Sequence, residues 1–240
     1  MDITQSWLVK TKIAHRGLHN DKLPENSIAA FLNAAKNGFA IELDVRELKD
    51  GSVAVFHDEG LSRMTGADGY LCSLDTNGLK DLRLNKTEEK IPLFGEALEA
   101  VNGKAPILIE IKNQNKAGPL EQSVIKLLDG YKGEFAVQAF SPYSLEYFKK
   151  NAPHILRGQL SSYFRNVCMS KFRRFALKRM LFNKYTQPDF VAYEFNYLPN
   201  RWVAKSGLPV LAWTVRSNAE YEAVKDLCDN IIFESFIPED

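Results

Sequence analysis

Eight apolar, strand-like runs end at Ala14, Val45, Ile111, Phe140, Leu160, Ala192, Val215 and Phe233, and most neighbouring runs are separated by a segment of helical periodicity. Strands that recur in this way pair in parallel, because a parallel connection is long enough to hold a helix and the helix covers the sheet. Two of the helical segments are plain. From Glu25 to Lys36, Ile28, Phe31, Leu32 and Ala35 recur at helical spacing, and from Ser217 to Leu227, Tyr221, Val224 and Leu227 share a face. Eight strands with crossover helices fit a TIM (β/α)8 barrel, in which chemistry belongs at the carboxyl ends of the strands. With 240 residues, 45% of them hydrophobic, the chain can bury one sizeable core, and a barrel of this length is a single domain spanning 1–240.

One pair of strands departs from the alternation. Ile41 to Val45 and Val53 to His57 are both strand-like, yet only about seven residues around Lys49-Asp50-Gly51 join them, too few for a parallel crossover, so they form a hairpin. Asp50-Gly51 is a two-residue turn signal. With that turn Lys49 faces Ser52 and His57 falls opposite Asp44; a turn two residues longer puts His57 opposite Glu42. In either register the imidazole shares a face with both carboxylates.

The strand ends carry His15-Arg16, Glu42-Leu43-Asp44, His57-Asp58 and Glu110-Ile111-Lys112. Ionisable groups are costly to place at the ends of apolar strands, and they gather where chemistry is done. Glu42 and Asp44 stand two residues apart, so both carboxylates point to one side of the strand. Like charges so close repel strongly unless a cation lies between them or one is protonated. Oxygen donors without cysteine or a dense histidine set favour one divalent ion, Mg²⁺ or Ca²⁺, over zinc. Glu110 is the natural third ligand, and Lys112, on the same face, can neutralise an anionic substrate. The bland alternative, a solvated strand face, conflicts with Ile41, Leu43 and Val45, which read as buried.

The remaining candidates are weaker. Asp58 follows His57, so its side chain is expected to face the other way, in a loop or capping role. Pro24-Glu25-Asn26-Ser27 opens a helix, which explains much of its composition, and Glu25 is kept as a secondary site member. His19 and His154 read as surface residues. Trp213 and Phe195, near strand ends, are candidates to line a substrate pocket, although aromatic residues at such places are more often core.

Taken together, Ala14-His15-Arg16-Gly17, Pro24-Glu25-Asn26-Ser27, Ile41-Glu42-Leu43-Asp44-Val45, Lys49-Asp50-Gly51, Val55-Phe56-His57-Asp58 with Arg63 and Thr65, Ile109-Glu110-Ile111-Lys112, Ala139-Phe140-Ser141 and Trp213-Thr214-Val215 resemble the glycerophosphodiester phosphodiesterase family. The resemblance implies a TIM-type barrel with a small insertion at about 59–90 after the hairpin. It implies that Glu42, Asp44 and Glu110 hold a divalent metal while His15 and His57 act as acid and base. Arg16 and Lys112 would then bind phosphate as fork and point charge, with Trp213 and Phe195 at the glycerol pocket. The implied reaction releases sn-glycerol 3-phosphate and an alcohol from a glycerophosphodiester, through a cyclic phosphate. Alternatives are a lysophospholipase D-like enzyme at a membrane and a silent phosphodiester-binding protein. Where the family commonly ends its last strand in Ile-Ile-Thr-Asp, this chain has Ile231-Ile232-Phe233-Glu234, and Ser27 replaces the usual threonine.

Charge and composition bound the partners. The net charge of +1 and the absence of a nucleic-acid motif argue against nucleic acid. No basic and apolar leader opens the chain, no stretch approaches the roughly 18 apolar residues of a membrane span, and three scattered cysteines fit a reducing compartment, so the expected setting is cytoplasmic. Between Glu146 and Asp189 there is no acidic residue, while Lys149, Lys150, Arg157, Arg165, Lys171, Arg173, Arg174, Lys178, Arg179 and Lys184 interleave with apolar residues. The preferred reading is an outer barrel helix with its charges in water; the alternative is peripheral membrane contact through residues 165–184. Oligomeric state leaves no signature in the sequence.

Overall fold

In a computed structural model the chain is described over residues 3–113, 116–165 and 168–239. In chain order the elements begin with α1 (Trp7–Lys10), β1 (Ile13–Ala14), α2 (Ile28–Lys36), β2 (Ala40–Glu47), β3 (Val53–Val55), α3 (Ser62–Thr65), α4 (Phe94–Val101), β4 (Ile107–Ile111) and α5 (Pro119–Leu128). There follow β5 (Phe135–Ala139), α6 (Pro142–Asn151), β6 (Arg157–Ser161), α7 (Lys171–Lys178), α8 (Asn183–Thr186), β7 (Phe190–Glu194), α9 (Arg201–Ser206), β8 (Val210–Val215), α10 (Asn218–Val224) and β9 (Asn230–Phe233). Apart from β3, which belongs to the hairpin, the strands alternate with helices in the (β/α)8 pattern of a TIM barrel. The anticipated strand ends fall within two residues of the observed ones. Two compact units divide the contacts, 14–135 and 136–240 with 1–13.

In the 14–135 unit, β2 pairs in parallel with β4, with Asp44 opposite Glu110. Both faces of β2 from Ala40 to Val45 are buried, as a strand within a parallel sheet requires. The helix expected from Glu25 starts three residues later. Ser27 is its N-cap, its hydroxyl accepting from the Ala30 N–H, and Glu25 and Asn26 remain in the preceding turn. The hairpin is real, but its register differs from both anticipated ones: Val45 faces Val55 and Glu47 faces Val53. The loop has three residues, because the Leu48 N–H bonds the Ser52 carbonyl and Gly51 takes φ +79°. That shift places Phe56, whose N–H donates to the Asp44 carbonyl, where His57 was expected. His57 lies beyond the end of β3, in a bend, so strand counting does not govern its side chain.

Residues 59–90 bring α3 and short 3-10 turns. Leu61, Met64, Leu71, Leu79 and Leu84 form a small core with Leu48, Ala54 and Phe56 of the hairpin.

In the other unit, β5 to β9 are paired in sequence order, with parallel registers from β5 through β9. The Asn230 amide at the start of β9 donates to the Leu8 and Thr11 carbonyls, which fastens the N-terminal segment. Arg157, counted above with the basic stretch, is buried: its guanidinium donates to the Thr186 and Gln187 carbonyls, and it is a structural cation rather than a surface one. Asn166 and Val167 of that stretch, and Met1 and Asp2 of the N-terminus, lie outside the described residues.

Candidate active site

The ionisable cluster is assembled wholly within the 14–135 unit, and its first element is a turn. After β1 the chain reverses through Arg16 at φ +55° and Gly17 at φ +79°. A side chain at Gly17 would meet the Ala30 carbonyl carbon at 2.9 Å, so only glycine lets the turn lie against α2. The Gly17 N–H donates to the Glu42 carbonyl, fastening the turn to β2. His15 Nε2 then stands 4.0 Å from Glu42 Oε2, and the Arg16 backbone N–H donates to the same oxygen at 3.0 Å.

Glu42 and Asp44 on β2 and Glu110 on β4 are buried, and a carboxylate oxygen from each lies within 4.8 Å of the others. The Lys112 ammonium sits 3.1 Å from Asp44 Oδ1 and 2.6 Å from Glu110 Oε1. Arg16 reaches Glu25 Oε1 at 2.7 Å and Asp44 Oδ2 at 3.3 Å. Burial alone would raise the Asp44 carboxyl, but Lys112 and Arg16 overcome it and hold that group far below the usual carboxylate range. Burial pushes Glu42 well above that range, and the Asp44 and Glu110 carboxylates push it further. Burial also raises Glu110, although Lys112 opposes it.

These residues fit a divalent cation. The donors are all carboxylate oxygens, and Glu42 Oε1 is buried with no hydrogen-bond donor. A hard cation supplies what that oxygen lacks and offsets the carboxylate repulsion that, together with burial, pushes Glu42 up. Lys112 is ion-paired with two of the three carboxylates, Asp44 and Glu110, so it neutralises part of the same charge.

His57 is oriented by neighbours that strand reasoning overlooked. Its Nδ1 lies 2.6 Å from Asp58 Oδ1, so Asp58, expected to face away, instead holds the imidazole. The reason is the bend after β3, where strand alternation no longer applies. The Arg63 guanidinium in turn grips Asp58 and, through two nitrogens, both oxygens of Glu25. Arg46 Nε donates to the His57 carbonyl at 2.7 Å. Burial lowers the His57 imidazole to about 4, against the opposing pull of Asp44. Asn26 is a further residue beside the site: at φ +57°, its amide donates to Asp44 Oδ2 at 2.8 Å and its carbonyl oxygen accepts from the Asp44 N–H. Asparagine is one of the few non-glycine residues that tolerate this left-handed backbone.

Trp213 and Phe195 belong to the other unit. Trp213 packs edge-on against Phe140, with ring centroids 5.6 Å apart, and its indole nitrogen is buried without an acceptor. Phe195 opens a 3-10 turn after β7 and is half-buried. Glu234, at the departure in the last strand, lies 3.6 Å from Arg216.

Residues 15–234 match the model of the Glycerophosphoryl diester phosphodiesterase family. A glycerophosphodiester phosphodiesterase of Caldanaerobacter subterraneus subsp. tengcongensis is 32% identical over 234 residues, covering 92% of each chain. Another from Bacillus altitudinis is 38% identical over 158 residues, 60% of this chain and 64% of that one. The structure of an Oleispira antarctica phosphodiesterase in complex with the product sn-glycerol-3-phosphate aligns with a TM-score of 0.79 at 22% identity, over 92% of this chain and 91% of that one. At that identity the likeness speaks for the fold alone.

Proposed function

The chain belongs to the glycerophosphoryl diester phosphodiesterase family, and from that premise we propose that it hydrolyses glycerophosphodiesters to sn-glycerol 3-phosphate and an alcohol in a metal-dependent reaction. The observation that carries the reading is the buried Glu42-Asp44-Glu110 set with Lys112, Arg16 and the two histidines grouped around it. Glu42, Asp44 and Glu110 would hold one divalent ion, Mg²⁺ or Ca²⁺. When bound, the ion lowers the pKa of the attacking hydroxyl and neutralises phosphoryl charge.

The chain's own residues do the rest. Arg16 and Lys112 take the phosphate oxygens, and Glu25 and Asp44 hold the Arg16 fork in place. One histidine accepts the proton of the glycerol 2-hydroxyl as its oxygen attacks phosphorus, and the other gives a proton to the departing alcohol. Water then opens the cyclic phosphate with the two roles exchanged. Asp58 keeps His57 Nδ1 engaged, which leaves Nε2 as the atom that trades protons. Residues 59–90 act as an insertion within a single domain.

Among the described residues no helix is long and apolar enough to cross a membrane. With three free thiols the reading is of a cytoplasmic enzyme. A second reading, action on lysophospholipids with residues 165–184 against lipid, draws on the exposed aromatic residues there. The silent-relative reading is set aside, since the family is one of enzymes and all five central residues are present.

The test is release of glycerol 3-phosphate from glycerophosphocholine by metal-stripped protein, with Mg²⁺ or Ca²⁺ restored and His15→Ala and His57→Ala as controls. Metal-dependent release abolished by each substitution supports the scheme. Release that ignores the metal, or near-normal rates in either variant, refutes it.

A further inference from the structure

On the preferred sequence reading, α7 turns its apolar side to the core and its charges to water. The structure agrees for Ala176, Leu177 and Met180, which are buried. It disagrees for the aromatic residues. Phe172 is 76% exposed and Phe175 42%, and nearby Leu181, Tyr185 and, on α6, Tyr143 are exposed as well. A cavity of about 270 Å³ is lined by Pro142, Tyr143, Phe172, Arg173, Leu177 and Phe182, mostly apolar residues with one arginine among them.

Scattered exposed apolar residues need no explanation, but a group of them ringed by charge marks an interaction surface. The charge here has one sign. No Asp or Glu occurs from residue 147 to 188. Lys171, Arg173, Lys184 and Arg165 are exposed. The nearest acid on α6, Glu146, is already paired with Lys150 at 2.7 Å. Arg179 covers part of the Phe175 ring at 3.7 Å, so Phe172 is the aromatic side chain left with least cover. Bulky apolar side chains flanked by cations complement a surface that offers hydrocarbon beneath a layer of negative charge, which an anionic bilayer does and a nucleic acid does not.

We propose that Tyr143, α7 and residues 181–185 form a docking surface for anionic phospholipid bilayers, with Tyr143, Phe172 and Leu181 entering the acyl boundary while Lys171, Arg173 and Lys184 meet headgroup phosphates. This deepens the membrane contact named above and is independent of which diester is cut. Docking brings the enzyme to the surface where membrane-derived diesters arise.

The experiment is co-sedimentation of the full chain with vesicles of phosphatidylglycerol and phosphatidylcholine in equal parts, against vesicles of phosphatidylcholine alone. Binding should be at least about tenfold stronger on the anionic vesicles and fall as salt is raised. Tyr143→Ser with Phe172→Ser, and separately Lys171→Glu with Arg173→Glu, should each reduce it about tenfold or more. Hydrolysis of soluble glycerophosphocholine should be unchanged in both variants, which separates loss of docking from loss of fold or of catalysis. Equal binding to both vesicle types, wild-type binding by either double variant, or tighter binding to a single-stranded polynucleotide at matched phosphate concentration would overturn the proposal.

Discussion

Replacing Asp58 by asparagine tests how the imidazole of His57 is held. The carboxylate lies 2.6 Å from Nδ1, and asparagine keeps the size while removing the charge. Asparagine can also present its amide to Nδ1, which would move the ring proton to Nε2 and leave that atom unable to accept another. A hydrogen bond to a charged group contributes about 1.5–3 kcal/mol, and since His57 and Asp58 are 32% and 24% exposed, solvent screening favours the lower part of that range. A loss of about 1.5–2.3 kcal/mol from the transition state lowers kcat about 10- to 50-fold. Neither Glu42, Asp44 nor Glu110 contacts Asp58 in the described structure, so KM and calorimetric metal affinity should stay within about twofold. The assay is steady-state release of glycerol 3-phosphate at saturating metal, with circular dichroism to verify the fold. A folded variant with unchanged kcat, or one whose loss is confined to KM, would show that Asp58 does not orient His57 for proton transfer.

Three further outcomes follow from the geometry. Glu42 has its folded carboxyl raised by burial, so the folded state binds more protons than the unfolded one above about pH 4.3, and this group's contribution to stability falls as pH rises. In metal-stripped protein, urea unfolding at pH 5 and pH 8 should therefore show Glu42→Gln gaining on the wild type as pH rises; a gap that does not change with pH contradicts the burial argument. Gly17→Ala puts a side chain at φ +79° and 2.9 Å from the Ala30 backbone, and should cost about 2 kcal/mol or more in denaturant titration, with a loss below 0.5 kcal/mol refuting the close approach. Arg46→Met removes the donor to the His57 carbonyl, and kcat should fall about 3- to 10-fold at constant KM, whereas an unchanged kcat would make Arg46 a bystander.

What the sequence disclosed, and what it withheld, divides along strand geometry. Glu42, Asp44, Glu110 and Lys112 were legible because a strand's two-residue period fixes which side chains share a face, and the register of β2 against β4 then sets Asp44 opposite Glu110. The hairpin was legible from its length, but its register was not. A three-residue loop with Gly51 in the left-handed region closes as readily as the two-residue turn, and the difference of one residue exchanges the faces. His57 and Asp58 leave the ladder, so reasoning by alternation misjudged Asp58. Asn26, Arg46 and Arg63 act through contacts far along the chain, 18, 11 and 38 residues away, which no local period reveals. The exposure of Phe172 escaped because an eight-residue amphipathic helix reads the same whether its flank is covered or bare.

The clamping of His57 from several sides has a thermodynamic meaning. Phe56, one residue before it, is buried in the core formed with residues 59–90; Arg46 grips its carbonyl, and Asp58, itself braced by Arg63, holds its ring. A side chain so confined has little rotational entropy left to lose when substrate arrives. On the proposed scheme, the ordering cost that flexible catalytic groups incur on each encounter would be met once, when the chain folds, and binding energy from the glycerophosphate portion would remain available to align the phosphorus for attack.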